Sequence, residues 1–284
     1  MEKAREIILA KSAGFCPGVK KALERVRKLA EGGQGPVFTL GPLVHNGQVL
    51  SGLEAEGIRA VESLDELKGK SGVLVLRAHG VTPEVETQAR GLGLSVVDAT
   101  CPLVKKAQNA VSRYAAQGYD TVIVGDAGHA EVIGLVGYAK ERVFVVSGPE
   151  EAEKLPDFDK VSVVAQTTQE EDVFRKTVEV IKSRSKNVVV SDTICKPSRD
   201  RQRETVELCR SADLMVVVGS KKSANTARLA AICRRLCPQT LFAESAADLD
   251  AALVESARRV GVTAGASAPD SLIREIVSAL RRLG

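Results

Sequence analysis

Three of the six cysteines occupy similar local sequences: Cys16 in SAGFCPGV, Cys101 in DATCPLV and Cys195 in DTICKPS. Each follows a short apolar run typical of a strand, has proline one or two positions later, and precedes a segment with helical character. Amide N–H groups at a helix N-terminus favour a thiolate over a thiol. The intervals between the three are far too long for a zinc knuckle. We therefore expect three similar lobes, each donating one thiolate to a shared metal centre that keeps one coordination position open for chemistry.

The chain has only three histidines, and all of them lie just past an apolar, strand-like run: His45, His79 and His129. Ligands of open α/β sheets gather beyond the carboxyl ends of the strands. Histidine can donate hydrogen bonds to phosphate oxygens and can shuttle protons near neutral pH. One such histidine would usually be a surface or satisfied residue, whereas three in equivalent places indicate a site.

Glu131 lies two residues after His129, at the start of a predicted helix. It is either an acid that suits the positive end of the helix dipole or a proton donor beside the metal centre.

Two loops have the character of anion-binding strand–loop–helix segments. Ser223 and Asn225 open a helix in VVVGSKKSANTARL, and Ser267 precedes a helix start in GVTAGASAPDSLI. Hydroxyls, amides and helix N-terminal N–H groups suit a diphosphate. Ordinary helix capping is the alternative for each loop. Neither the spacing of a P-loop nor a GxGxxG motif is present.

A further polar triplet, Gln166, Thr167 and Thr168, follows another strand-like run, and one of the three is expected to cap the next helix. The remaining cysteines, Cys209, Cys233 and Cys237, fall in or at the ends of helical segments. We interpret them as small core or surface residues.

The composition favours a globular enzyme that acts on a small molecule. Of 284 residues, 44% are hydrophobic and 27% charged, and the net charge is +4. Aromatic residues make up 3% and tryptophan is absent, so base-stacking platforms are scarce and a nucleic-acid partner is not expected. No apolar run reaches the roughly 18 residues of a membrane span. The N-terminus does not resemble a secretory signal, so we expect a cytoplasmic protein that uses its cysteines for metal or redox chemistry.

Short β-branched runs alternate with longer amphipathic segments, which predicts an α/β fold with mostly parallel sheets. The predicted strands are Ile7–Ala10, Val37–Leu40, Val73–Ala78, Ser95–Asp98, Thr121–Gly125, Val143–Val146, Val161–Ala165, Val188–Ser191, Leu214–Gly219, Thr240–Ala243 and Arg259–Thr263. The predicted helices include Val19–Ala30, Pro102–Gln117, Gln169–Ser183, Arg199–Ser211, Ala224–Leu236 and Pro269–Leu283. The cysteine positions predict lobes over 12–98, 99–192 and 193–284, the last joined by an N-terminal strand within 1–11.

Nine motifs spread over nearly the whole chain resemble those of the LytB/IspH family of 4-hydroxy-3-methylbut-2-enyl diphosphate reductases. They run in the family's order: FCPGV, GPLVHN, AHGV, DATCPLV, GHAEV, QTT, SDTIC, GSKKSAN and GVTAGASAPD. The resemblance implies three α/β lobes around a central iron–sulfur cluster. It also implies reductive removal of the substrate's hydroxyl group, which yields isopentenyl and dimethylallyl diphosphate at the end of the non-mevalonate isoprenoid pathway.

The resemblance also implies roles for individual residues. Cys16, Cys101 and Cys195 match the ligands of one 4Fe–4S cluster per chain, in which one iron lacks a cysteine. Glu131 matches the acid of proton delivery, supported by His129 and Thr167, and Thr167 lies near the substrate's hydroxymethyl group in the family. The residues that match the diphosphate site are His45, His79, His129, Ser223, Asn225 and Ser267. An external one-electron donor such as ferredoxin or flavodoxin is implied as partner.

The chain departs from the family pattern at a few positions. Ala224 stands where many members have a second serine, Ala130 where proline is frequent, and CKPSRDRQ where the run after the third cysteine commonly carries Thr and Asn. Two other functions use the same thiolates: an iron–sulfur sensor without turnover, and a structural zinc site of three cysteines and one histidine.

Overall fold

The computed structural model describes residues 5–33, 35–140 and 142–283, which contain twelve strands and eleven α-helices. An α-helix follows every strand except β3, which a 3₁₀ helix separates from β4. The strands are β1 (Glu6–Leu9), β2 (Val37–Leu40), β3 (Ile58–Val61), β4 (Val73–Leu76), β5 (Ser95–Asp98), β6 (Asp120–Val124), β7 (Val143–Val146), β8 (Val161–Ala165), β9 (Val188–Ser191), β10 (Leu214–Val218), β11 (Thr240–Ala243) and β12 (Arg259–Ala264). The helices are α1 (Pro17–Glu31), α2 (Gly47–Ala55), α3 (Pro83–Arg90), α4 (Pro102–Ala115), α5 (Ala130–Val136), α6 (Pro149–Ala152), α7 (Glu171–Ser183), α8 (Lys196–Cys209), α9 (Ala224–Leu236), α10 (Ala251–Ser256) and α11 (Asp270–Arg282).

The strands form three four-stranded sheets in which every pairing is parallel. Their orders are β3-β2-β4-β5, β7-β6-β8-β9 and β11-β10-β12-β1. In each of the first two sheets, the strand that comes second along the chain lies at one edge, followed by the first, the third and the fourth. The third sheet has the same arrangement, but β1 occupies the position of the fourth strand. The predicted α/β fold with three lobes of parallel sheet is confirmed.

The inner strands explain why short apolar runs were the dominant signal. All residues of β4, β8 and β10 are buried, because helices cover both faces of each sheet. The covering helices are amphipathic; α11, for example, buries Leu272, Ile276 and Leu280 on one face. Each predicted strand and helix overlaps an observed one.

The named predictions did not include several observed elements, among them β3, α2 and α3. The strand β3 is a sheet edge with two exposed central residues, so it lacks a continuous apolar run. The helix α2 contains Gly47 and Gly52, which lower helix propensity. The helix α3 did carry a start signal: Pro83 is its first residue, and the Thr82 hydroxyl accepts the Val85 N–H at 3.3 Å.

The described chain divides into two compact units. The larger unit comprises Lys20–Leu43 and Leu50–Cys195 and contains the sheets around β2–β4 and β6–β8. The smaller unit comprises the described residues up to Val19, then Val44–Val49, and the chain from Lys196 onward, with the sheet around β10–β12. The lobe boundaries given above stay a prediction, and residues 1–4 and 284 of the third lobe lie outside the described residues.

The lengths and composition of the helices also bear on membranes. Among the described residues, none of the helices is both long and apolar enough to cross a bilayer.

Candidate active site

The candidate residues lie at equivalent strand ends in all three sheets. The first inner strand of each sheet, which is β2, β6 or β10, leads to His45, to His129 with Glu131, or to Ser223 with Asn225. The second inner strand, which is β4, β8 or β12, leads to His79, Thr167 or Ser267. The edge strand beside this second inner strand, which is β5, β9 or β1, leads to Cys101, Cys195 or Cys16. The carboxyl ends of parallel strands are where ligands bind in open α/β sheets.

An aspartate three residues earlier organises two of the cysteine turns. The Asp98 Oδ1 atom accepts the N–H of Thr100 at 2.9 Å, just before Cys101. The Asp192 Oδ1 atom accepts the N–H of Ile194 at 3.3 Å, just before Cys195. Such Asx turns bring the chain from strand to helix within a few residues. The shared D-x-x-C pattern is therefore a local structural signal.

Cys16, which has no such aspartate, directly precedes α1 and is half-buried. The backbone N–H of Val19, in the first turn of that helix, points to the Cys16 Sγ atom at an N–S distance of 3.4 Å. This geometry is the one expected for a thiolate stabilised by a helix N-terminus. Gly14, two residues before the cysteine, has a φ of +99°, which favours glycine at this position.

Glu131 and Thr167 form a buried pair that is joined by two hydrogen bonds. The Glu131 carboxylate is 2% exposed; its Oε1 accepts the Thr167 N–H at 2.6 Å and its Oε2 accepts the Thr167 hydroxyl at 2.8 Å. Both oxygens of a buried carboxyl group are therefore fixed by one residue. The carboxyl group is thus oriented by a tertiary contact in addition to its place in the first turn of a helix, and its proton-transfer role stays a prediction.

His129 connects this pair to the neighbouring histidine. Its side chain caps α5, with Nδ1 accepting the Glu131 N–H at 3.2 Å. In the neutral ring the proton then resides on Nε2, which becomes a donor. The His79 and His129 ring centroids are 5.4 Å apart in an edge-to-face arrangement.

Two cysteines join the same group through backbone hydrogen bonds. The Cys101 N–H donates to the carbonyl of Ala78, the neighbour of His79, at 3.0 Å. The Cys195 N–H donates to the Thr167 carbonyl at 2.9 Å. The larger unit thus brings together six predicted residues, which we call the acid network: His79, Cys101, His129, Glu131, Thr167 and Cys195.

The smaller unit contains the other predicted residues, which we call the amide region: Cys16, His45, Ser223, Asn225 and Ser267. The Cys16 N–H donates to the Ala266 carbonyl at 3.2 Å, and the Ser267 hydroxyl donates to the His45 carbonyl at 3.4 Å. These two bonds connect the loop that follows β12 to the segments that carry Cys16 and His45.

Asn225 is the least satisfied polar side chain of the amide region. It is 4% exposed, and neither its Nδ2 nor its Oδ1 atom has a hydrogen-bond partner among the described residues. Leaving a buried amide unpaired costs about 1–3 kcal/mol. A side chain of this kind, in the first turn of α9, is suited to a ligand that offers both acceptors and donors.

Ser223 caps the same helix, its hydroxyl accepting the Thr226 N–H at 3.4 Å, so the ordinary capping function is present. Thr226 is fully buried between two glycine loops. A Cβ atom on Gly265 would clash with the Thr226 Oγ1 atom, and one on Gly219 would lie 3.1 Å from it. Glycine at both positions lets the two loops close over the start of α9.

One expectation about capping is wrong. None of Gln166, Thr167 and Thr168 caps α7, whose N-cap is Glu170. Gln166 is instead fully buried, and its Oε1 accepts the Asp126 N–H at 3.0 Å in the loop that leads to His129. The side chains of Gln166 and Thr167 make tertiary hydrogen bonds instead of capping the helix.

The remaining cysteines behave as interpreted. Cys209, Cys233 and Cys237 are buried in one apolar cluster of the smaller unit. Burial raises the pKa of the Cys237 thiol. These residues are core residues.

The three half-buried cysteines at strand-to-helix turns suit an iron–sulfur cluster. Thiolate sulfur is the ligand that such clusters use, and helix N-terminal amides stabilise it. Among the described residues one edge strand of each sheet, which is β5, β9 or β1, leads to such a cysteine turn. Each of the three turns therefore offers one thiolate of the kind that an iron–sulfur cluster binds.

Together the fold and the site define an α/β enzyme with three parallel sheets, a buried acid and cysteines suited to a metal cluster. The family model described as LytB protein matches residues 7–281. The chain belongs to the LytB family, which is typically composed of iron–sulfur enzymes.

Relatives of nearly equal length carry one name, 4-hydroxy-3-methylbut-2-enyl diphosphate reductase. The protein of Geobacter metallireducens is 44% identical, with 98% of each chain covered, and that of Geobacter sulfurreducens is 45% identical, with 97% of each covered. A solved structure of this reductase, described as the terminal enzyme of the non-mevalonate pathway, has a TM-score of 0.69 at 38% identity and covers 98% of this chain and 99% of that one. The Plasmodium falciparum structure of an E-1-hydroxy-2-methyl-but-2-enyl-4-diphosphate reductase has a TM-score of 0.90 at 29% identity, with 97% and 88% covered.

Proposed function

We propose that this protein reduces 4-hydroxy-3-methylbut-2-enyl diphosphate to isopentenyl and dimethylallyl diphosphate, as the last step of the non-mevalonate pathway. The full-length similarity to relatives with this activity supports the substrate. The observation that carries the reaction type is the buried Glu131 carboxyl group, held by both hydrogen bonds from Thr167. The balance is one allylic alcohol, two electrons and two protons, giving one alkene and one water.

Cys16, Cys101 and Cys195 would hold one 4Fe–4S cluster per chain. A bound cluster of this type supplies single electrons and one Lewis-acidic iron without a cysteine ligand. Half-burial of the three cysteines and the Val19 N–H directed at the Cys16 sulfur support this assignment.

The diphosphate would be bound by neutral donors and histidines. Asn225 supports this assignment most directly, because its amide is buried and unpaired while the Nδ2 group is a donor for phosphate oxygens. Ser223 and Ser267 add hydroxyl donors, and the histidines His45, His79 and His129 complete the set. Binding the diphosphate fixes the position of the alcohol at the other end of the substrate.

Proton delivery would run through Thr167. The Thr167 hydroxyl donates to the Glu131 Oε2 atom in the structure. With Glu131 protonated this hydrogen bond would reverse, so that the hydroxyl accepts the Glu131 proton while it donates its own to the departing oxygen. His129 holds the start of α5, and therefore Glu131, through its Nδ1 cap. The C–O bond then breaks with water as the leaving group.

The electrons would come from an external one-electron protein such as ferredoxin or flavodoxin. We propose a cytoplasmic enzyme that requires neither a nucleic acid nor a membrane. Its ordinary composition and small net charge support this proposal.

Anaerobic purification, iron counting and an assay with the diphosphate substrate and a chemical reductant test the function. We expect a brown protein with about four irons per chain and reductant-dependent formation of both products. A colourless protein with one zinc would contradict the proposal and favour the structural zinc site. An iron-loaded protein without turnover would favour the sensor.

A further inference from the structure

The three cysteine turns are supported in two different ways. Cys101 and Cys195 each have an aspartate three residues earlier that accepts a nearby backbone N–H. The equivalent position before Cys16 is Ala13, which has no such acceptor. The loop that presents Cys16 must therefore be held from elsewhere in the chain.

The missing carboxylate comes from α8. The Glu204 Oε1 atom accepts the Lys11 N–H at 2.6 Å, and its Oε2 atom accepts the Ser12 N–H at 2.9 Å and the Ser12 hydroxyl. A carboxylate that accepts two successive backbone N–H groups does for this loop what the aspartates do locally for the other two.

A guanidinium from the same helix holds the carbonyl side of the loop. Arg201 is 3% exposed; its Nη2 atom donates to the Ser12 carbonyl at 2.6 Å and to the Gly14 carbonyl at 2.7 Å, and its Nε atom donates to Ser12 at 3.1 Å. Arg201 and Glu204 are three residues apart and so lie on one side of α8. Together they fix the N–H and C=O groups of the chain just before Cys16.

The composition of α8 agrees with this role. Its buried face is mostly polar, which is unusual for a helix that covers a sheet. The buried residues are Ser198, Arg201, Gln202, Thr205 and Cys209. The helix also begins directly after Cys195, so one rigid element follows one proposed cluster ligand in the chain and anchors the loop of another.

We propose that Arg201 and Glu204 are positioning residues that hold the Cys16 thiol in the conformation required for cluster binding. The inference rests on the proposed function, because it takes Cys16 to be a cluster ligand. Arg201 supplies a forked donor to two carbonyls, a geometry that lysine cannot reproduce.

Hydrogen exchange in the cluster-free full-length chain tests the contact itself. Glu204→Gln should speed exchange of the Lys11 and Ser12 amides about tenfold or more, because the charged acceptor is lost. The Thr100 amide, held by Asp98, should not change. The matched control is Glu207→Gln, an exposed position on the same helix. Unchanged exchange at Lys11 and Ser12 would overturn the proposal.

The loaded protein tests the consequence for the cluster. Arg201→Gln should release iron to a chelator about 10- to 100-fold faster and alter the electron-paramagnetic spectrum of the cluster, in keeping with the loss of a group that orients a ligand. Arg201→Lys should lie between the wild type and the glutamine variant. Arg210→Gln, an exposed change of the same charge, is the control.

The substrate KM separates positioning from general damage. In the fraction of Arg201→Gln that retains its cluster, KM should stay within about twofold, because the variant leaves the proposed diphosphate ligands untouched. Wild-type iron retention and spectrum in both Arg201→Gln and Glu204→Gln would overturn the inference while leaving the proposed function intact. A wild-type chain that binds no iron would instead refute the proposed function.

Discussion

The acid network and the amide region use equivalent strand ends, yet their polar groups are satisfied differently. In the acid network, both oxygens of Glu131 are bonded to Thr167, and His129 is bonded to the Glu131 N–H. In the amide region, the Asn225 side chain is buried without a partner among the described residues. The same architecture therefore holds the Glu131 carboxyl group in hydrogen bonds within the protein and leaves the buried Asn225 amide without a partner among the described residues.

This difference indicates how the work is divided. A group that transfers a proton has to be oriented before the substrate arrives, because misorientation by even about 1 Å costs rate. A group that binds an anion gains more if its donors are not already used. The difference teaches what to test: we expect the hydrogen-bonded Glu131 to act in proton transfer and the unpartnered Asn225 to bind the diphosphate.

The largest expected effect comes from breaking the paired side. Glu131→Gln should lower turnover about 10²- to 10⁴-fold, because the proton donor is lost, while the substrate KM changes little. Steady-state kinetics with a chemical reductant measure both. Glu84→Gln is the matched control, since Glu84 is also a first-turn acid but is exposed on α3. Near-normal turnover in Glu131→Gln would contradict the proton role and favour the alternative, in which Glu131 only interacts with the helix dipole.

A smaller effect is expected on the unpaired side. Asn225→Ala should raise the substrate KM roughly 10- to 100-fold, the range expected for hydrogen bonds to a charged ligand. The ligand-free protein should be equally or more resistant to unfolding, by up to about 1 kcal/mol, because an unsatisfied buried amide is removed. Denaturant unfolding and kinetics test the two parts, with exposed Asn109→Ala on α4 as control. A clear loss of stability with unchanged KM would make Asn225 a structural residue.

The smallest effect concerns pH and compares two cysteine turns. Burial raises the pKa of Asp98, but hydrogen bonds from the Thr100 hydroxyl and N–H and from Lys105 outweigh it and leave the pKa below its ordinary value. In Glu204, burial likewise raises the pKa, and hydrogen bonds from Ser12 and Lys11 lower it further than burial raises it. A carboxyl group with a lowered folded-state pKa contributes stability above its unfolded pKa and loses it as the pH falls through the folded value.

Asp98→Asn should therefore destabilise the protein by about 1 kcal/mol or less at neutral pH and flatten the loss of stability at acid pH. Thermal unfolding between neutral and strongly acid pH measures this effect, with exposed Asp159→Asn as control. Glu204→Gln should likewise reduce the loss of stability at acid pH, because Glu204 holds the turn before Cys16. If the loss of stability at acid pH is unchanged in both variants, neither carboxylate holds its turn in solution.

Much of the fold was predictable from local patterns. Runs such as β4 and β10 are apolar throughout because both faces of a parallel sheet are covered, and this pattern is visible in any single sequence. The edge strand β3 was not predicted, because only its two terminal residues are buried and it has no continuous apolar run. The site residues were predictable to the extent that they follow strands, since strand ends bear ligands in this class of fold.

The roles of Gln166, Arg201 and Glu204 were not predictable in this way. Gln166 lies close to the start of a helix, where polar side chains commonly cap the helix. Its side-chain oxygen instead accepts the N–H of Asp126, forty residues earlier in the chain. Arg201 and Glu204 bond to residues nearly two hundred positions away. The low apolar content of α8 was visible in the sequence and indicates a polar buried face. It does not indicate which residues that face contacts.

The sequence by itself determined the alternation of buried strands and helices, the strand-to-helix cysteine turns and the types of chemical group at the strand ends. These follow from periodicity and from local hydrogen bonding, as in the aspartate turns before Cys101 and Cys195, where donor and acceptor are two residues apart. Only the tertiary structure decided that Glu131 is paired with Thr167, that Asn225 is left unpaired, and that α8 supports the Cys16 loop. The physical reason is that hydrogen-bond satisfaction in a buried site depends on groups brought together from distant parts of the chain, and local sequence does not encode which of them meet.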